Sequence, residues 1–247
     1  MMRREPGRPL LGGGGRRWAG WLLVACAAVV AVLGALFAGQ ATADGFDRTA
    51  DSAIASAFSG HAGVLPRLAE PGTQIPAVVL SAIIIVACLL GGRLNGAVLA
   101  AAAVPVADGL DELLIKHLVH RTYGGALAYP SGHTTTVVAL AATVTVLLAV
   151  APQPARTRVL RVLIMAAAWS LACVVAVAVI ALRWHYLTDT VAGAAVGAGT
   201  VYGLAMVLDL PAVRRWLARA SRVIVISGRR RAVRESGSLA GSGSRPE

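Results

Sequence analysis

The stretch KHLVHRTYGGALAYPSGHTTTVVALAATVTVLLAVA, residues 116–151, decides the fold of this chain. Its first half is polar and punctuated by Gly124, Gly125 and Pro130, and from Thr134 to Ala151 no charged residue appears. A run of that kind approaches the ~20 apolar residues that a helix needs to cross a bilayer. Lipid offers no hydrogen-bond partners, so a single crossing segment must satisfy its own backbone and coil into a helix.

Working outward, the pattern recurs. Hydropathy draws six spans at about 18–39, 75–91, 95–115, 132–151, 160–182 and 187–208. With 57% hydrophobic and 14% charged residues over 247 positions, the chain is far more apolar than a soluble globular domain. The expected fold class is all-α, a six-helix transmembrane bundle. No long polar insert divides the spans, so one membrane domain is expected over 18–209, flanked by basic tails at 1–17 and 210–247. The Gly/Ser-rich end from Ser236 to Glu247 has the composition of disorder. Cys26, Cys88 and Cys173 each lie in an apolar run without zinc or disulfide spacing, and read as packing residues.

An even number of spans puts both termini on one side. Arginines crowd the N-terminal tail, Arg93, the Arg156–Arg161 loop and the tail from Arg214, whereas the opposite loops hold Asp44, Asp47, Asp51 and Glu70. By the positive-inside rule the termini are cytoplasmic, in a cell membrane, and the segment before Ser131 and the turn before His185 face outward. Ala41-Thr42-Ala43 has the look of a signal-peptidase site, but the apolar run before it is longer than a usual signal core, and an uncleaved anchor is the favoured reading. The net charge of +11 lies mostly in the tails, where anionic lipid headgroups are the expected partner and nucleic acid is not.

Chemistry gathers at the outer ends. Of the 23 basic residues 22 are arginine, so the single lysine, Lys116, stands out. Glu112 precedes it by one helical turn and can aim it, with Asp108 a further turn back. Pro130-Ser131-Gly132-His133 opens a span, where Ser131 can cap the helix and free backbone N–H groups can bind an anion. His133 can deliver a proton. In Arg183-Trp184-His185-Tyr186-Leu187-Thr188-Asp189, a helix starting nearby would put His185 and Asp189 one turn apart, so that the carboxylate fixes the imidazole tautomer. Each piece alone also has an ordinary reading: a snorkelling lysine, a plain helix start, a satisfied polar cap. Gly193, Gly197 and Gly199 read as a small-residue packing face, and Trp18, Trp169 and Trp184 as interfacial anchors.

Together the three motifs, over about residues 75–208, resemble the type 2 phosphatidic acid phosphatase (PAP2) and vanadium haloperoxidase superfamily, in its membrane lipid phosphatase branch. The resemblance implies a phosphoric ester hydrolase with no metal and no cofactor. His185 would attack phosphorus to give a phosphohistidine, Asp189 would orient it, and His133 would protonate the leaving alkoxide. Lys116, Arg121, Ser131, Gly132 and Arg183 would bind the phosphate. The substrate would be a membrane lipid phosphate: phosphatidic acid, phosphatidylglycerol phosphate, or a polyprenyl phosphate or diphosphate. Two positions depart from the family pattern. Tyr123 and Gly124 stand where Arg-Pro is expected, leaving Arg121 as the nearest stand-in, and Val179 stands where an arginine is expected, with Arg183 one turn on. If neither arginine reaches the phosphate, the alternative is a weak or inactive relative that binds phospholipid headgroups. A vanadium haloperoxidase is the third reading, which the apolar spans oppose.

Overall fold

The computed structural model describes residues 9–149 and 155–219, with the side chains at 155 and 156 left aside. The outer parts of both expected tails, including Ser236–Glu247, and the side chain of Arg156 lie outside the described residues. In chain order the elements are α1 (Gly15–Phe37), α2 (Gly45–Ala57), the short α3 (Leu65–Ala69) followed by a 3₁₀ turn (Glu70–Gly72), and α4 (Gln74–Leu90). Next come α5 (Leu94–Leu110), a π-helical turn (Asp111–Ile115), α6 (Lys116–Val119) and a two-stranded hairpin of β1 (Thr122–Tyr123) and β2 (Ala126–Leu127). Then follow α7 (Gly132–Ala149), α8 (Ala155–Ala181) and α9 (Leu187–Leu208).

This is an all-α membrane fold. Four helices, α1, α7, α8 and α9, are long and apolar enough to cross a bilayer, and the pair made by Leu65–Gly72 and α4, bent by 51°, forms a fifth candidate. The expected span 95–115 corresponds to α5, which runs through the π turn into α6 and carries Asp108, Asp111, Glu112 and Lys116 along its outer part. Each of the other expected spans corresponds to one helix within a few residues.

The centre of the bundle is α7, with two-thirds of its apolar window buried (67%) against 17% for α1, and it packs along α9, α8 and α5. Contact between α7 and α9 is backbone to backbone. A Cβ at Gly193 would stand 2.5 Å from the Ser131 carbonyl oxygen, one at Gly197 would collide with that of Thr135, and Thr135 Oγ1 donates to the Gly193 carbonyl at 3.2 Å. Gly199 points the other way, with a Cβ there 3.1 Å from Cys26 of α1, so the three glycines serve two interfaces rather than the single face expected. This close approach of small residues holds the start of α7 against the start of α9.

Two further ties fix the ends. The Leu10 and Leu11 amides donate to the two carboxylate oxygens of Asp209, each at 2.7 Å, joining the start of α1 to the end of α9. At the opposite end Tyr129 donates to the Val30 carbonyl at 2.7 Å. Helix α2 has no counterpart among the expected elements. Asp44 caps it, accepting from the Asp47 amide at 2.7 Å, and its inward face carries Asp47 and Asp51, both buried.

Candidate active site

The stretch from the end of α5 into α6, the start of α7 and the turn before α9 meet around a cavity of about 490 Å³ lined by Lys116, Gly132, His133 and His185, together with Asp108, Glu112, Thr136, Trp184 and the bend at Gly72–Gln74. Lys116 is buried; its ammonium pairs with Glu112 and stands 3.9 Å from Asp111. Gly132 lies against that pair, and a Cβ there would be 3.1 Å from Glu112 Oε1 and 3.8 Å from Lys116 Nζ. The first N–H groups of α7 have no acceptor within their own helix, and Gly132 at its start lies beside the ammonium. Gly72 fits the far wall, where a Cβ would meet His133 at 2.9 Å.

The two histidines face one another across the cavity, ring centroids 6.3 Å apart, with Trp184 5.5 Å from His133. His185 Nδ1 lies 2.9 Å from the Ala128 carbonyl oxygen. A carbonyl only accepts, so Nδ1 carries the proton and Nε2 keeps its lone pair. Burial, opposed in part by that hydrogen bond, pushes the His185 pKa down to about 4, so the ring is neutral at neutral pH. A neutral imidazole with its outer nitrogen free can act as a nucleophile.

Asp189 does not orient this histidine, contrary to the sequence expectation. Helix α9 begins at Leu187 with Tyr186 as its N-cap, so His185 lies outside the helix and the one-turn spacing does not apply. Asp189 closes on the Tyr186 amide at 3.0 Å and accepts from Arg121 at 2.7 Å.

Arg121 is likewise away from the cavity. Fully buried, its guanidinium lies between the rings of Phe37 and Tyr186, 4.1 and 4.2 Å from their centroids. It donates to Asp189 at 2.7 Å and to Asp47 and Thr188 at 2.6 Å. Two carboxylates with excellent geometry hold the cation more firmly than an open cavity could. Gly124 and Gly125 form the hairpin turn with φ of 58° and 88°. Proline is locked near φ −65° and could not occupy the Gly124 position, which accounts for the missing proline of the Arg-Pro pair.

Arg183 also departs from expectation. Helix α8 ends at Ala181 and Arg183 takes a left-handed conformation (φ 57°), so it no longer shares a face with the buried Val179. Its side chain is exposed and absent from the cavity wall. Ser131 is buried behind Gly132, its amide donating to the Asp189 carbonyl at 3.0 Å and its hydroxyl accepting from Thr134 at 3.2 Å. The cavity thus brings together Lys116, Gly132, His133 and His185, while Arg121, Ser131 and Asp189 form the layer behind.

Sequence reasoning missed Asp47 and Asp51. Asp47 accepts from the Thr188 amide and Asp51 from the Leu187 amide, each at 3.0 Å, so α2 caps the start of α9 from outside. Burial, partly offset by the Leu187 amide, raises the Asp51 pKa to about 6. Their i, i+4 spacing after the capping Asp44 was the available signal.

Residues 102–210 match the PAP2 superfamily. The crystal structure of a transmembrane PAP2-type phosphatidylglycerolphosphate phosphatase from Bacillus subtilis superposes with a TM-score of 0.58 at 17% identity, covering 76% of this chain and 96% of that one. No curated protein matches the chain. The PAP2 segment runs from within α5 to the end of α9, and so contains the whole cavity wall except the Gly72–Gln74 bend.

Proposed function

We propose that this protein is a PAP2-type, multi-pass cell-membrane phosphatase that hydrolyses a lipid phosphate monoester or diphosphate on the outer face of the bilayer. The observation that carries this reading is the His185 imidazole, its Nδ1 proton held by Ala128 and its Nε2 free, facing His133 across one cavity. Nε2 attacks phosphorus while the bond from phosphorus to the lipid oxygen breaks, giving a phosphohistidine. His133 hands its proton to the departing alkoxide, then takes one from the water that cleaves the phosphorus–nitrogen bond and frees phosphate. Lys116 and the α7 amides at Gly132 and His133 stabilise the equatorial oxygens, the electrostatic work that dominates phosphoryl transfer. No step calls on a metal.

Phosphatidic acid, phosphatidylglycerol phosphate and polyprenyl phosphates or diphosphates are the substrates to compare. Their chains would meet the exposed apolar side chains of Ile75, Leu113 and Leu114 outside the cavity. The basic tails would hold anionic headgroups on the cytoplasmic side.

A second reading rests on one observation: the cavity wall holds Lys116 as its cation, and neither Arg121 nor Arg183 joins it. A relative that binds headgroups and turns over slowly fits that shortage. Phosphate release from a panel of lipid phosphates in micelles, with chelator present, compared with His185→Ala, separates the two. Release lost in the variant supports the phosphatase; no release from either folded protein supports the binder.

A further inference from the structure

Lys116 sits between two carboxylates of opposite character. Asp111, 3.9 Å away, has a wholly buried side chain, with no hydrogen bond to its oxygens among the described residues. Glu112, in direct contact with the ammonium, leaves 53% of its side chain exposed and lines the cavity. One counter-ion is fixed behind the wall and the other is free to leave.

The position of Glu112 matters as much as its freedom. Its Oε1 touches Lys116 and lies 3.1 Å from the place a Gly132 Cβ would take. That is where an oxygen of a bound phosphate would stand if it used the same ammonium and the same helix start. A carboxylate and a phosphate edge make the same demand on such donors, two oxygens sharing one negative charge. Asp108, also on the wall, accepts from Thr136 at 2.9 Å and so is occupied elsewhere.

We propose that Glu112 is an internal stand-in for the substrate phosphate, seated on Lys116 beside Gly132 at the start of α7 and displaced when a phosphate enters. The inference rests on the reading of this cavity as a phosphate site, and deepens it. With Glu112 in place the charge of Lys116 is spent, and entry of a dianion requires the side chain to swing towards the solvent it already half faces. Asp111 then remains behind the ammonium and keeps it aimed. Glu112 is therefore a brake on anion affinity, not an aid to it, and it favours ligands whose phosphate charge is high enough to win the exchange.

Calorimetric titration of the full-length protein in detergent with orthovanadate tests this directly, using wild type, Glu112→Gln and Glu112→Ala. Both variants are expected to bind vanadate on the order of tenfold more tightly, because a like charge has left the site. If Glu112 instead serves to aim Lys116, both variants bind more weakly and the proposal is overturned. Lipid hydrolysis, measured in parallel, keeps the two readings apart. Tighter binding in the variants without hydrolysis by any of the three sustains the stand-in and sinks the phosphatase. Hydrolysis by wild type with unchanged or weaker vanadate binding in both variants does the reverse. No vanadate binding by any of the three removes the phosphate site and the stand-in together.

Discussion

Asp189 gives its carboxylate to Arg121, 2.7 Å away, while His185, four residues earlier, donates from Nδ1 to the Ala128 carbonyl at 2.9 Å. The orienting acceptor for the histidine is therefore a backbone group of the loop that precedes Pro130, and the acid works on the layer behind. A carbonyl fixes the tautomer as a carboxylate would, but brings no charge to stabilise an imidazolium.

Asp189→Asn is accordingly expected to cost less than about tenfold in kcat, against about 10⁴ where an acid orients a catalytic histidine. Steady-state hydrolysis of the best lipid phosphate decides it. A loss of three or more orders of magnitude in a normally folded variant would falsify the assignment of Ala128 as the orienting group.

Arg121→Met should act on folding rather than on substrate affinity. It leaves Asp47 and Asp189 buried without their shared cation. Breaking a buried pair in this way costs about 3–5 kcal/mol. Thermal unfolding in detergent should show a large drop in Tm, whereas a raised KM with unchanged Tm would return Arg121 to the phosphate.

The depressed His185 pKa sets a pH window. Burial favours the neutral ring, so the imidazole keeps its lone pair down to about pH 4, where an exposed histidine would be half protonated at about 6.5. As pH falls through about 4 the ring gains its proton and the nucleophile is lost. Nitrogen-15 chemical shifts of His185 in micelles should titrate with that midpoint, and a midpoint above 6 would contradict the burial argument.

Gly193→Ala should loosen the cavity end of the bundle. The added methyl would stand 2.5 Å from the Ser131 carbonyl, a backbone atom that cannot turn aside. Overpacking of this kind costs about 1–3 kcal/mol. The variant should unfold at lower denaturant concentration, and Gly20→Ala, with nothing within 4 Å of its Cβ, should not.

Orientation is checked by labelling. In a background without Cys26, Cys88 and Cys173, a cysteine at Tyr123 should react with an impermeant thiol reagent in intact cells. One placed between positions 152 and 158 should not, and the reverse pattern would put the cavity on the cytoplasmic side.

Much of the site could be read in order along the chain. Lys116, Gly132, His133 and His185 are short-range features, a lone lysine after a paired glutamate, a helix start and a histidine before one, and the bundle delivers all four to one cavity. Arg121, Arg183 and Asp189 could not be placed in this way. The one-turn rule behind Arg183 and Asp189 holds only inside a helix, and α8 stops at Ala181 while α9 starts at Leu187. Arg121 is only the arginine nearest the vacant motif position, and distance along a loop says nothing of direction.

The sequence by itself determined that the chain is an all-α membrane protein, because uncharged runs of bilayer length leave the backbone no other way to satisfy its hydrogen bonds. It also determined which end of the bundle gathers the ionisable groups of the cavity, since polar and ionisable groups collect where the spans stop. Only the tertiary structure decided what each charge does. A buried guanidinium or carboxylate takes whichever opposite partner packing brings within reach, and Asp47, on a helix some seventy residues away in sequence, holds Arg121 away from the cavity.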